Sequence, residues 1–300
     1  MVNEQREKTT NFLTSHEINR SILDTLSDKE RPVSGMDLSG RLGISRTAVW
    51  KHIHTLIDSG YPIQAGPQGY ILLSQSDHLF PWEFTELKAD IHYFDSLGST
   101  MDAARKSVAD GARDKTVVLA EEQSDGRGRS KRTWISEKGG LYSTIILRPD
   151  IPLAQCSVIN FAAAVSVCSV LKRWYEIGAT VKWPNDVLIE GKKIAGILIE
   201  ASGSPLTTDY VNVGIGINVN NPIEGTSLTA DSLQSIIGKK VSRKELFIRF
   251  FNELDYHLGE TGDEIIALWK RYAAGLNGRI RLRNHSEPIE GTAIDIRRDG

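Results

Sequence analysis

The hydrophobic period of this chain changes twice along its length, and that constrains its fold more than any other feature. Up to about Leu73, apolar residues recur mainly at helical spacing. Between Ile91 and Tyr272, short strand-like runs alternate with helical ones. From Gly278 the period drops to two. Helices and strands bury different faces, so a chain that switches period in this way folds as successive units. A length of 300 residues suits two or three of them.

The first unit, taken as 1–75, reads as three helices and a hairpin. Ser15 to Leu26 sets Ile18, Ile22, Leu23 and Leu26 on one face, with Ser15 as the expected N-cap. A second helix runs from Ser34 to Leu42 and a third from Arg46 to Ser59. Between them, Gly43 suits a tight turn and Ser45 caps the third helix. Ala48, Val49, Ile53, Leu56 and Ile57 form its apolar stripe, and Gly60 ends it. Tyr61–Gln64 and Tyr70–Leu73 are two strands around a Gly/Pro turn at 65–69. Three helices followed by a hairpin make a winged helix-turn-helix. The large or polar residues of its third helix are Arg46, Thr47, Trp50, Lys51, His52 and His54.

Residues 74–90 read as a linker and lead-in. The main unit, 76–272, then offers strands at 91–94, 116–121, 141–147, 180–182, 187–189, 194–201 and 210–217. Helices are expected at Thr100–Ala109, Leu153–Tyr175, Arg243–Leu258 and Gly262–Tyr272. This is an α/β unit whose later hairpins predict a mixed sheet. Arg279–Arg283 and Thr292–Ile296 alternate as two strands that begin a small β-barrel. Asp299-Gly300 is a dipeptide that turns into a further strand, so the barrel is expected to be cut short.

Bulk composition excludes some classes. Apolar residues make up 40% and charged residues 25%, as in ordinary globular chains. No uninterrupted run of 18 apolar residues suggests a membrane span. Met1–Thr10 is polar and unlike a secretory signal. Cys156 and Cys168 lie in one apolar stretch without metal-ligand spacing, which predicts two buried thiols in a reduced, cytoplasmic protein. The formal net charge is −2, and residues 1–73 carry eight basic and eight acidic side chains. Any contact with nucleic acid therefore comes from a local patch.

Four segments carry chemistry, and each alone admits a plainer reading. Gly126-Arg127-Gly128-Arg129, followed by Lys131, Arg132 and Trp134, combines close-approach glycines with guanidinium forks. It suits an anionic ligand, on whose arrival it would become ordered, or it is a solvated basic loop. Lys182-Trp183-Pro184-Asn185-Asp186 joins a cation, an amide and a carboxylate after a strand. They could serve phosphate, adenine and Mg²⁺, or form only a capped turn. Lys193 enters a strand in which Gly196 marks close backbone packing. Gly214-Ile215-Gly216-Ile217-Asn218 is weak by itself. No P-loop is present.

Taken in order, Ser99-Thr100, Gln123, the GRGR string with Trp134, KWPND at 182–186, Lys193 through Glu200, and GIGIN at 214–218 resemble the biotin–protein ligase family. The resemblance is strong from Phe94 to Asn221. The winged helix in front matches the family's bifunctional members, which also repress biotin biosynthesis genes. Residues 273–300 look like the start of the family's C-terminal SH3-like barrel.

The resemblance implies that biotin and Mg-ATP form biotinyl-5′-adenylate, from which biotin passes to a lysine of a biotin carboxyl carrier protein. It puts Ser99, Thr100, Gln123, Arg127, Gly128, Arg129, Lys193 and Gly196 at biotin. Arg127, Arg129, Arg132, Trp134, Lys182, Asn185, Gly216 and Asn218 would hold ATP or the adenylate. Lys193, Lys182, Arg129 and Asp186 would be catalytic, with Asp186 a contact for Mg²⁺ or for the incoming lysine. Ser45, Arg46, Thr47, Trp50, Lys51 and His54 would meet operator DNA, in a homodimer, with no membrane partner. Chemically this is coherent: a carboxylate and a triphosphate must meet, and Arg127, Arg129, Lys182 and Lys193 can cancel their repulsion. A preorganised contact of that kind contributes about 2.7–4 kcal/mol in a transition state.

Two residues depart from the family pattern. Met101 stands where asparagine is common in the biotin pocket, and Lys131 where the loop often has glycine. Other readings are a ligase whose winged helix does not regulate, a ligand-sensing transcription factor without ligase activity, and a lipoate or octanoyl ligase. Lys182 and Lys193 argue against the pure sensor, and the GRGR and KWPND strings favour biotin over lipoate.

Overall fold

In the computed structural model, which describes residues 13–29, 31–223, 229–282 and 289–298, Thr14 rather than Ser15 caps the first helix. Glu17 decides this. Its backbone N–H donates to Thr14 Oγ1, and its carboxylate accepts from the Thr14 N–H at 2.7 Å. Two otherwise orphaned donors are thereby satisfied reciprocally. Met1–Thr10, Arg283 and Asp299-Gly300, all used in the sequence reading, lie outside the described residues.

Helices α1 (Ser15–Ser27), α2 (Gly35–Leu42) and α3 (Arg46–Asp58) pack through Ile22, Leu26, Leu38, Val49, Ile53 and Leu56, all buried. Each such side chain contributes about 1.5–3 kcal/mol of burial free energy. Gly43 takes φ +66° between α2 and α3, as a left-handed cap requires. The wing is tighter than expected. Strands β1 (Ile63–Gly66) and β2 (Gly69–Leu72) pair with Gly66 opposite Gly69, so only Pro67-Gln68 turn. Gly69 has φ +126°, and a Cβ there would lie 2.1 Å from the Val33 carbonyl oxygen.

The expected linker is not free. Leu79, Glu83 and Phe84 are buried, and Pro81–Phe84 is a short 3₁₀ turn. Arg20 Nη1 reaches a Glu83 oxygen at 3.1 Å, Tyr61 donates its hydroxyl to Glu83, and Trp82 Nε1 donates to Tyr61 Oη at 2.9 Å. Burial and the neighbouring Glu83 charge hold the Tyr61 phenol above its ordinary pKa. A buried carboxylate so partnered ties this segment to the helices. The chain divides into two compact units after Glu86.

The second unit contains β3 (Asp90–Leu97), α4 (Thr100–Ala109), β4 (Thr116–Gln123), β5 (Leu141–Leu147), α5 (Ser157–Tyr175), β6 (Thr180–Lys182), β7 (Asp186–Ile189), β8 (Lys192–Gly203) and β9 (Thr208–Ile217). These are followed by α6 (Leu233–Ile237), α7 (Arg243–Leu258), α8 (Gly262–Tyr272), β10 (Arg279–Leu282) and β11 (Ile289–Thr292). One sheet runs β3-β4-β5-β9-β8-β7-β6. Only β3 and β4 are parallel, so the sheet is mixed. Leu153–Tyr175 is long and apolar enough to cross a membrane, although charges break its apolar run. It is the core helix here, packed against α7 and α8, and Phe161 meets Trp269 edge to face.

The last hairpin departs from expectation. Its second strand is Ile289–Thr292, not Thr292–Ile296. Arg279 already pairs with Thr292, so among the described residues those beyond Ala293 meet no partner strand. Among the described residues this region forms a two-stranded sheet of its own.

Candidate active site

Strand register brings distant segments into one row. Lys182 of β6 lies opposite Asp186 of β7, Asp186 opposite Gly196 of β8, and Gly196 opposite Gly216 of β9. Residues directly opposite one another share a face of the sheet. The row therefore reads cation, carboxylate and two bare backbones. A cavity of about 710 Å³ opens here, of a size that suits a sizeable organic ligand.

Ser99, Thr100, Met101, Gln123, Arg127, Gly128, Arg129, Arg132, Trp134, Lys182, Asn185, Asp186, Lys193, Gly196 and Gly216 all line it. Sequence positions almost 120 residues apart thus meet in one place.

The glycines are explained by one ring. A Cβ on Gly216 would lie 2.5 Å from the Trp134 indole, and one on Gly196 would lie 2.9 Å from it. Lys193 Nζ stands 5.0 Å from the centroid of the same ring and 2.6 Å from Asp186 Oδ1. Met101 fills the space above a third glycine, since a Cβ on Gly214 would lie 2.5 Å from its sulfur. A buried thioether therefore packs where the family often has an amide.

A polar chain lies under the start of α4. The Thr100 N–H and hydroxyl both donate to Gln123 Oε1, at 2.8 and 3.1 Å. Thr144 donates to Thr100 Oγ1 at 2.9 Å, and Gln123 Nε2 donates to Ser136 Oγ at 2.8 Å. Ser99 Oγ is the exception: it is buried and has no partner among the described residues. An orphaned buried hydroxyl beside a cavity is poised to bind whatever enters.

The arginine loop is held by its own backbone. Trp134 N–H donates to Gly126 O at 2.8 Å and Gly128 N–H to Arg132 O at 2.7 Å. These two bonds join the two sides of the loop across its tip. At its tip Ser130 and Lys131 have φ +56° and +59°, which costs side-chain-bearing residues about 1–2 kcal/mol each. Lys131, the second departure from the family pattern, sits in backbone that glycine would adopt freely.

The cavity cations fall into two groups. Arg127 is paired with Asp102 at 2.8 Å and Lys193 with Asp186. Arg129, Arg132 and Lys182 have no ion-pair partner among the described residues. Arg281, on β10, also lines the cavity, 3.5 Å from Glu290. The sequence reading missed it, though the alternation over 279–283 put three arginines on one face.

Two expected adenine contacts look different. Asn185 spends its amide nitrogen on Ile197 O at 2.5 Å, tying the turn before β7 to β8. Asn218 is not in the lining of the main cavity. It borders an adjoining hollow of about 280 Å³ with Trp134, Lys193 and Thr229. Among the described residues no cluster of three or more metal-ligating side chains occurs. Asp186 is the one carboxylate in the main cavity's described lining, a donor set that fits a cation held largely by ligand phosphates.

On the first unit, Arg46, Thr47 and Lys51 are exposed on α3, and Trp50 packs at a tilt against His54 with centroids 3.9 Å apart. Arg46, Thr47 and Trp50 border a hollow shared with the wing residues 65–70. Ser45 uses its hydroxyl as the α3 cap. His52 turns inward instead, with Nδ1 2.7 Å from Asn19 Oδ1, and partial burial lowers its pKa.

Comparison with known proteins fits this architecture. The model described as the biotin/lipoate A/B protein ligase family matches residues 93–220, and an HTH domain model matches residues 19–71. The chain belongs to the biotin/lipoate A/B protein ligase family. It is 35% identical over 285 residues to the bifunctional ligase/repressor BirA of Bacillus subtilis, covering 89% of this chain and 87% of that one. Its place within the family is with such bifunctional ligase/repressors. A biotin protein ligase from Aquifex aeolicus, solved with biotin and ATP, aligns with TM-score 0.59 and 28% identity over 71% of this chain and 89% of that one. A ligase from Leishmania major, solved with biotinyl-5-AMP, aligns with TM-score 0.56 and 27% identity over 67% of this chain and 88% of that one.

Proposed function

We propose that the second unit joins biotin to ATP as biotinyl-5′-adenylate and passes biotin to a lysine of a biotin carboxyl carrier protein, while the first unit binds operator DNA as a repressor. The observation that carries this reading is the row Lys182–Asp186–Gly196–Gly216, with Lys193 and Trp134 set over it. The carboxylate of biotin attacks the α-phosphorus and pyrophosphate leaves. Lys193 bridges the two oxygens being joined, and Arg127, Arg129, Arg132 and Lys182 offset the remaining negative charge. Ser99 takes the biotin head group, alongside Thr100, Gln123 and the backbone of Gly128. Gly196 and Gly216 let the Trp134 ring lie flat on the sheet, where its free side borders the ligand, and Asn218 serves the nucleotide from the adjoining hollow. Asp186 would hold Mg²⁺, which would neutralise charge on the phosphates. In the second step the same carboxylate would instead orient the acceptor lysine, whose amine, having given its proton to solvent, attacks the anhydride carbonyl so that AMP leaves.

The functional division follows the two units, with the part up to Glu86 serving DNA, the part from Leu87 serving ligation, and the β10–β11 hairpin the SH3-like portion. Two copies of Arg46, Thr47, Trp50 and Lys51 in a homodimer make up for the modest charge of the first unit. The reading places the protein in the cytoplasm, with its acceptor.

The test is transfer of labelled biotin to an apo acceptor domain with ATP and Mg²⁺, comparing wild type with Lys193→Ala. Label on the acceptor with wild type and little with the variant is the expected result. Biotin binding without any transfer would instead favour a ligand sensor.

A further inference from the structure

Asp102 stands in the first turn of α4, the helix that Ser99 caps. Its Oδ2 lies 2.8 Å from Arg127 Nη2, an ion pair that ties the arginine loop to the helix. Its other oxygen lies 2.9 Å from Arg105 Nη1. Arg105 is held in turn by Glu200 of β8, at 2.9 and 3.2 Å. The result is a chain of alternating charge, Arg127–Asp102–Arg105–Glu200, running from the loop to the sheet.

Arg127 differs from the other cations that the loop and the main sheet give the cavity, while Arg281 of the last hairpin, 3.5 Å from Glu290, also pairs outside the lining. Arg129, Arg132 and Lys182 carry no carboxylate partner among the described residues, and the partner of Lys193, Asp186, itself lines the cavity. Asp102 does not line it. Arg127 is therefore turned toward a carboxylate outside the space where an anion would sit. An incoming anion has to compete with Asp102 for the guanidinium. The exchange is easy for two reasons. Arg127 and Asp102 are both more than a third exposed, and exposed pairs shift an equilibrium by no more than about fivefold. Asp102 is also not stranded when Arg127 leaves, because Arg105 and the start of the helix still balance its charge.

We propose that Asp102 is a latch for the arginine loop, holding Arg127 against α4 until an anionic group of the ligand takes the guanidinium over. The inference rests on the reading that this cavity takes biotin and ATP. In this role Asp102 is a positioning residue that acts through Arg127. Its removal strengthens ligand binding rather than weakening it, which a merely structural carboxylate would not do.

The full-length protein is tested as wild type, Asp102→Asn and Asp102→Glu, by biotin titration calorimetry and by trypsin cleavage at the loop's Arg127, Arg129, Lys131 and Arg132. Asp102→Asn is expected to bind biotin about two- to fivefold more tightly at low salt. Its loop is expected to be cut faster without biotin and at the wild-type rate with saturating biotin. Asp102→Glu should keep the wild-type pattern. Weaker or unchanged biotin binding by Asp102→Asn, with unchanged loop cleavage, would overturn the latch. If wild type fails to bind biotin at all, the ligase reading fails, and the cleavage rates alone then decide the latch.

Discussion

Gly196 of β8 lies directly opposite Gly216 of β9, and the indole of Trp134 rests against both. Adjacent strands that are bare at the same level form a slot one ring thick. The pair also sits next to Asp186 in the row, and Lys193 lies over the same ring. The Trp134 ring fills this slot, so a ligand in the cavity meets the ring's other side, within reach of a cation.

Gly216→Ala is therefore expected to be far more damaging than its single methyl suggests. The new Cβ would lie 2.5 Å from Trp134, so the ring must move by about an ångström or more. Misplacement on that scale in a reacting assembly costs about a hundredfold in rate. Biotin-dependent exchange of labelled pyrophosphate into ATP measures it. Exchange within threefold of wild type would mean that the position of Trp134 does not govern the first step.

Lys131→Gly is expected to make the loop tip more stable locally. Lysine at φ +59° costs about 1–2 kcal/mol, part of which glycine returns in unfolded-chain entropy. Hydrogen exchange of the amides from 126 to 134 should slow or stay unchanged. Faster exchange would show that the lysine side chain, rather than backbone strain, sets the behaviour of the tip.

His52 gives the first unit a pH dependence. Burial lowers its folded-state pKa below the ordinary 6.5. The unfolded chain thus takes up a proton at a higher pH than the folded one does. The contribution is present above about pH 6.5 and is lost as pH falls through the folded value. Hydrogen exchange of α3 amides, corrected for intrinsic rates, should show protection falling between about pH 7.5 and 5.5. In His52→Gln that decline should flatten. An equal slope in both proteins would assign it to another group.

Much of this architecture was legible because local signals agreed with one another. The helices at 100–109, 243–258 and 262–272 appear within the bounds their periodicity predicts. Side-chain caps at Ser242 and Thr261 mark two of those starts. What misled were signals that only tertiary contacts resolve. Residues 78–84 look like a linker until Arg20 and Tyr61 partner Glu83. Thr292–Ile296 alternates like a strand, but its would-be partner strand begins at Arg279, opposite Thr292. Within the site, residue types were readable while their commitments were not. Gln123 and Thr100 hydrogen-bond each other, Asn185 holds β8, and Ser99 is the hydroxyl left open. Arg281 escaped notice because its route to the cavity depends on where a separate hairpin folds.

Operator binding should separate two kinds of side chain on α3. Lys51 is exposed on the helix surface and offers a point charge to phosphate, whereas Arg46 and Thr47 stand at the helix N-terminus beside the wing. The N-terminal residues of a helix in the major groove meet base edges. Lys51→Ala should weaken specific and non-specific DNA alike and reduce the salt slope by about one per subunit. Arg46→Ala should cost about 1–3 kcal/mol on the operator and less on unrelated DNA, narrowing the specificity ratio. Fluorescence anisotropy over a salt series, with the full-length protein, biotin and ATP present, reads both quantities. If Arg46→Ala lowered affinity equally on every sequence, its guanidinium would be a phosphate contact, and reading of the operator would fall to Thr47, Trp50 or the wing.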